Sequence, residues 1–138
     1  MKVVNNVLEL IGETPVIKLN RMLGAGQAEV YVKLEGFNPG GSIKDRPGLY
    51  MIEKAEARGL LKKDSIILEA TSGNTGIGLA MAASIKGYPI LIVMPENMSD
   101  ERKKILRAYG AQLLLTPAAE GMPGAVQRAR ELATSDSR

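Results

Sequence analysis

Ile66-Ile67-Leu68-Glu69-Ala70-Thr71-Ser72-Gly73-Asn74-Thr75-Gly76 opens with a short apolar run, turns through small residues, and leads into a helical pattern from about Thr75 to Lys86 that stops at Gly87. The same unit follows twice more. Ile90 to Met94 is a continuous β-branched and aliphatic run, the pattern of a parallel strand buried on both faces. After Pro95-Glu96-Asn97-Met98, Ser99 is a suitable N-cap, Asp100 and Glu101 sit where a helix dipole favours negative charge, and Gly110 is a left-handed stop. Leu113-Leu114-Leu115 reads as a third strand, followed by a helix from about Gly124 to Ala133. Repeated strand and helix units imply an α/β fold, a small parallel sheet flanked by helices.

Upstream, Pro47 suits the first position of a helix running to Arg58, with Gly59 as its stop. Val16 to Leu19 and Glu29 to Leu34 read as two strands around a Gly24-Ala25-Gly26 turn, with alternation at Val30, Val32 and Leu34. Only Thr134 to Arg138 look frayed. Asn5, Asn6, Met94, Met98 and Met122 read as loop or core residues.

Composition removes several chemistries. With no histidine and no cysteine among 138 residues, imidazole bases, thiolate nucleophiles, disulfides and zinc sites of the usual nitrogen and sulfur ligands are excluded. Proton transfer falls to lysine, carboxylate, tyrosine or a cofactor. The net charge of +3 comes from basic residues interleaved with acidic ones, and four tyrosines and one phenylalanine offer little for base stacking, so no nucleic-acid partner is expected. Met1 to Leu10 lacks a targeting pattern and no apolar run spans a bilayer, which makes a cytoplasmic location the expectation.

In open parallel sheets ligands bind beyond the carboxyl ends of the strands, which selects the loops Thr71 to Gly76, Pro95 to Met98 and Thr116 to Met122. The first is the richest. Its helix begins with unpaired N–H groups and a positive dipole end; Ser72, Asn74 and Thr75 add side-chain donors, and glycines permit close approach, so a carboxylate or a phosphate fits. The bland alternative is that these hydroxyls only cap the helix. Gly73, Gly76 and Gly78 are spaced G-x-x-G-x-G, which is not the dinucleotide fingerprint, and no phosphate-loop Gly-Lys-Ser/Thr occurs, leaving nucleotide binding a poor second choice. Asn38-Pro39-Gly40-Gly41-Ser42-Ile43-Lys44-Asp45-Arg46 places a lysine in a tight turn. Buried at its own helix start, that ammonium is discouraged and the amine becomes a nucleophile for Schiff-base formation. Asp45 and Arg46 read as an ion pair where the helix begins.

These two stretches resemble the pyridoxal-phosphate enzymes of the tryptophan-synthase β fold, and specifically the cysteine synthases (O-acetylserine sulfhydrylases). Ile11-Gly12-Glu13-Thr14-Pro15, Glu69-Ala70, Met94 to Ser99, Arg107-Ala108-Tyr109-Gly110-Ala111 and Gly121 to Ala125 match as well, while Gly40-Gly41-Ser42 and Asp45 are closer to the B isozyme and cystathionine β-synthase than to the A isozyme. The resemblance implies that Lys44 holds pyridoxal phosphate and exchanges the substrate α-proton, that Asn74 bonds the cofactor's ring hydroxyl, and that Thr71, Ser72, Gly73, Asn74 and Thr75 grip the substrate α-carboxylate. The implied reaction is β-replacement, O-acetyl-L-serine plus sulfide or thiosulfate giving L-cysteine and acetate. Condensation of the cystathionine β-synthase type is the alternative, and a non-catalytic anion-binding α/β module is the alternative for this chain.

The resemblance further implies a small mobile domain over 38–133, in which Pro95 to Gly110 moves, strands over 13–35 that join a larger domain, and a homodimer in the full-length enzyme. Family members run much longer. Their second glycine-rich turn, which binds the cofactor phosphate, the serine or threonine facing the pyridine nitrogen, and a carboxylate-binding glutamine all fall beyond Arg138. From this follows the expectation that these 138 residues alone make little or no cysteine.

Overall fold

A computed structural model of the chain describes residues 3–21, 24 and 26–138. Two sheets form. β1 (Val16–Lys18) and β2 (Tyr31–Lys33) pair antiparallel, with Ile17 opposite Val32. β3 (Ile67–Ala70), β4 (Ile90–Pro95) and β5 (Gln112–Thr116) form a parallel sheet in that order, with Ile67 beside Ile90 and Ile92 beside Leu113. The helices are α1 (Asp45–Ala57), α2 (Asn74–Lys86), α3 (Asp100–Ala108) and α4 (Gly121–Ser135). The expected α/β class and its three repeated units are present. None of the helices among the described residues is long and apolar enough to cross a membrane.

The continuous apolar run of β4 belongs to the central strand, which is covered on both faces. Ile90, Ile92 and Met94 pack with Ile77, Leu79, Leu106 and Ile52 from α1, α2 and α3, while α4 crosses the other face against β3, β4 and β5. α2 is buried from Gly76 to Ala83 because it lies between the sheet and α1, so its sequence is apolar all round rather than striped. Its stop is as expected: Gly87 sits at φ +80°, and its N–H returns to Ala83 O. A Gly87→Ala chain should be about 1 kcal/mol less stable and melt about 3 °C lower by circular dichroism; an unchanged midpoint would show that the left-handed stop carries no load.

The crossing of α1 and α2 positions everything that follows. A Cβ at Gly48 would stand 2.7 Å from the Gly78 carbonyl carbon, and one at Gly78 would stand 2.6 Å from Lys44 O, so the two backbones touch. Further along, Lys86 Nζ lies 2.7 Å from Glu56 Oε2. The contacts advance in the same sense along both helices, so α1 and α2 run parallel and both begin at the carboxyl end of the sheet.

Several boundaries differ from expectation. α1 starts at Asp45 and α4 at Gly121, which puts Pro47 and Pro123 each at the third helical position; the missing N–H is harmless anywhere in the first turn. The final residues are not frayed: α4 continues to Ser135, Ile66 N–H donates to Arg138 O at 2.8 Å, and Arg138 pairs with Asp136 at 2.6 Å. The alternation expected at Val30 and Val32 buries neither residue: both are exposed on the hairpin. Of the Gly24-Ala25-Gly26 turn, Ala25 lies outside the described residues, as do Met1 and Lys2 of the amino-terminal stretch.

Candidate active site

Lys44 immediately precedes α1. Ser42 Oγ accepts its N–H at 3.1 Å, and its carbonyl accepts Gly48 N–H at 2.9 Å while lying against Gly78 of α2. Asn74 is the first residue of α2, one turn before Gly78. The lysine and the asparagine turn are therefore neighbours on one side of the sheet, at its carboxyl end. The expected burial of the amine is not found. Lys44 is exposed, and among the described residues its Nζ has no hydrogen-bond or ion-pair partner. The burial falls on the next residue: Asp45 is fully enclosed, its Oδ2 accepting Gly40 N–H at 2.5 Å and its Oδ1 unpartnered. That enclosure raises the Asp45 carboxyl above the ordinary range, with the Glu35 charge adding to it. Glycine at position 40 lets this carboxylate seat against the turn, since a Cβ there would stand 2.5 Å from Asp45 Oδ1 and displace it.

The expected Asp45–Arg46 ion pair is absent, since successive helical side chains point in different directions. Arg46 reaches instead to Glu35, Nε to Oε2 at 2.8 Å and Nη2 to Oε1 at 3.1 Å. The guanidinium, and next the Thr14 hydroxyl, bring the Glu35 carboxyl down to about 2 from its ordinary 4.5. A depressed folded-state value means that the stabilisation is whole above 4.5 and is lost as pH falls through about 2. Urea midpoints should accordingly drop on acidification through that window, and less steeply in Glu35→Gln; identical acid profiles for the two proteins would deny the linkage.

The asparagine turn is not capped by its hydroxyls. Gly73 occupies the cap position and no side chain bonds there. Thr71 Oγ1 accepts Gly73 N–H at 3.2 Å, a turn upstream of the helix, and Gly76 is required because a Cβ would stand 2.7 Å from Thr71 Cγ2. Among the described residues, the side chains of Ser72, Asn74 and Thr75 and the N–H groups of Asn74 and Thr75 are without partners, while Gly76 N–H donates to Gly73 O at 3.2 Å. The helix start is thus open to an anion.

α3 is tied to this turn, and the other two strand-end loops are tied to each other. Arg102 Nη1 of α3 donates to Ser72 O. Glu96 N–H donates to Thr116 O at 2.9 Å, and Glu96 Oε1 accepts Ala118 N–H at 3.2 Å. A groove of about 630 Å³ between Thr116, Glu120, Gln127 and Arg128 includes neither Lys44 nor Asn74. That groove offers carboxylates and a guanidinium but no primary amine, so it cannot bond an aldehyde carbonyl as the Lys44 amine can. The donor set suits an aldehyde cofactor: a free primary amine for its carbonyl, a free carboxamide for a ring hydroxyl and free N–H groups for a carboxylate. Sequence reasoning gave no role to Glu35, Thr14 or Asn38, whose bonds to Arg46 and Gly12 cross 11 to 32 residues of chain.

Comparison with known proteins gives the following. A family model described as pyridoxal-phosphate dependent enzyme matches residues 7–138. The chain is 60% identical over 128 residues to the cysteine synthase of Flavobacterium sp., covering 93% of this chain and 41% of that protein. The crystal structure of cysteine synthase from Entamoeba histolytica superposes with a TM-score of 0.91 at 41% identity, covering 97% of this chain and 41% of that one. That of an O-acetylserine dependent cystathionine β-synthase from Helicobacter pylori gives 0.89 at 39% identity, covering 99% and 45%. The chain spans about two fifths of the length of the curated relatives it matches.

Proposed function

Since the chain belongs to the family of pyridoxal-phosphate dependent enzymes, we propose that it forms the lysine-bearing part of a cysteine synthase, in which acetate leaves O-acetyl-L-serine and sulfide takes its place to give L-cysteine. The observation that supports this reading is the contact of the Lys44 backbone with Gly78, one turn beyond the open start of α2, on a residue whose amine has no partner among the described residues. When bound, pyridoxal phosphate supplies an electron sink for negative charge at the substrate α-carbon. Lys44 Nζ would hold the cofactor and would take and return the proton at that carbon. Asn74 holds the ring hydroxyl. Thr71, Ser72, Gly73, Asn74 and Thr75 orient the α-carboxylate with N–H groups, hydroxyls and the helix dipole. The absence of histidine and cysteine agrees with a scheme in which lysine does the proton work.

The same reading makes 38–133 a small mobile domain, in which Arg102 links α3 to the substrate loop through Ser72 O, and 13–35 a pair of strands that joins a larger domain. Exposed Val16, Ile17 and Tyr31 on the hairpin support the latter. The full-length enzyme is proposed to be a cytoplasmic homodimer. A second reading, condensation with a thiol amino acid, is favoured by the likeness to the Helicobacter pylori enzyme. Full-length protein assayed with O-acetylserine and either sulfide or homocysteine separates the two: preferential cysteine formation supports the first and preferential cystathionine formation overturns it. For the chain itself, pyridoxal phosphate should produce the visible absorbance of a lysine-bound cofactor. Binding of inorganic phosphate without that absorbance would favour an anion-binding module instead.

A further inference from the structure

Arg46 gathers two distant segments, around Thr14 and around Glu35, at the turn that carries Lys44. Nε and Nη2 grip the Glu35 carboxylate, and Nη2 also donates to Thr14 Oγ1 at 3.2 Å. The Thr14 hydroxyl donates to Glu35 Oε1 at 2.7 Å. Asn38 Nδ2 donates to Glu35 Oε2 and to Glu35 O, both at 2.9 Å, and Asn38 Oδ1 accepts Gly12 N–H at 2.8 Å. Gly12 leaves room for the guanidinium: at φ +94°, a Cβ there would stand 3.1 Å from Arg46 Nη1. Thr14 and Asn38 are buried, at 6% and 3% exposure, so these are built contacts and not a chance surface pair.

The arrangement bears on the lysine through helix geometry. Residues two apart in a first turn point to nearly opposite sides of the axis. Seating Arg46 on Glu35 and Thr14 therefore sets the rotation of the turn and leaves the Lys44 side chain on the other side, away from the clamp. Burial of Asp45 and the contact of Lys44 O with Gly78 fix the remaining freedom. A free amine on a fixed backbone is what a positioned nucleophile requires.

We propose that the Glu35–Arg46 pair, seated on Thr14 and Asn38, is a positioning device for Lys44 that fixes the first turn of α1 so that the amine faces the asparagine turn. Its catalytic consequence rests on the reading of Lys44 as the cofactor lysine, whereas the fixing of the turn does not.

Two measurements on the 138-residue chain test it, comparing wild type, Glu35→Gln and Arg46→Lys below their melting transitions. The first is borohydride trapping with pyridoxal phosphate, mapped by peptide mass spectrometry with Lys62 and Lys63 as internal references. The expected result is a loss of about tenfold in the rate at Lys44, with the reference lysines unchanged. The second is amide hydrogen exchange, expected to quicken about tenfold or more at 44–48 while β4 keeps its protection. Equal trapping at Lys44 in folded variants that merely melt lower would reduce the pair to a staple and overturn the proposal. If wild type shows no trapping at Lys44, the cofactor reading fails, and exchange alone decides: unchanged protection at 44–48 in Glu35→Gln overturns the clamp, and selective loss there upholds it. If both variants fail to fold, Thr14→Val, which removes one hydroxyl, is subjected to the same two measurements.

Discussion

Replacing Lys44 by alanine should abolish cofactor attachment to this chain: no visible band on adding pyridoxal phosphate, and no trapped label on any peptide above the level of a surface lysine. The size of the effect follows from the chemistry, because no neighbouring group replaces a primary amine in bonding a carbonyl carbon. Four other lysines are engaged elsewhere, Lys18 with Glu29, Lys86 with Glu56, Lys33 with Thr14 O, and Lys103 with Glu96 O and Asp100, and Lys62 and Lys63 stand for the surface level. Lys44 is exposed and its Nζ holds nothing together, so its removal should leave stability within about 0.5 kcal/mol of wild type. Thermal unfolding alongside the absorbance measurement separates loss of the amine from loss of the fold. A Lys44→Ala protein that still develops the band would move the reactive amine elsewhere and end the assignment.

The largest effect on stability is expected for Gly78→Ala. The added methyl would stand 2.6 Å from Lys44 O, 3.0 Å from Lys44 C and 3.2 Å from Asp45 Cα, all backbone atoms that no rotamer change can withdraw. Either α1 moves off α2 or the contact stays compressed. Overpacking of this kind costs about 3 kcal/mol, which lowers the melting temperature by about 10 °C in a chain of this size. Because the contact partner is the lysine's own carbonyl, cofactor trapping should fall together with the stability. A melting temperature equal to wild type would mean that the two backbones are not in contact, and with it the route from the asparagine turn to Lys44 would be lost.

What could be read in advance divides by distance along the chain. Strand runs, the Ser99 cap with its 3.5 Å bond from Arg102 N–H, and the left-handed stops at Gly87 and Gly110 are local patterns, and the structure reproduces them. Helix beginnings were displaced by two or three residues because proline is tolerated throughout a first turn, so Pro47 and Pro123 mark the turn and not its first residue. Lys44 and Asn74 stood out because each lies in a glycine-rich turn, but the exposure of Lys44 was not legible. It depends on Asp45 turning inward to the Gly40 N–H, and a sequence does not record which of two adjacent charged residues turns inward. Glu35 and Arg46, eleven residues apart and joined across different elements, leave no periodic trace at all.

Titrating the isotopically labelled 138-residue chain with pyridoxal phosphate and following its amide resonances addresses the central claim directly. Lys44 and the Ser72 to Gly76 turn should shift together along one saturation curve, because one small molecule touches both. Shifts confined to the groove between β5 and α4, or to Lys44 without the asparagine turn, would contradict it.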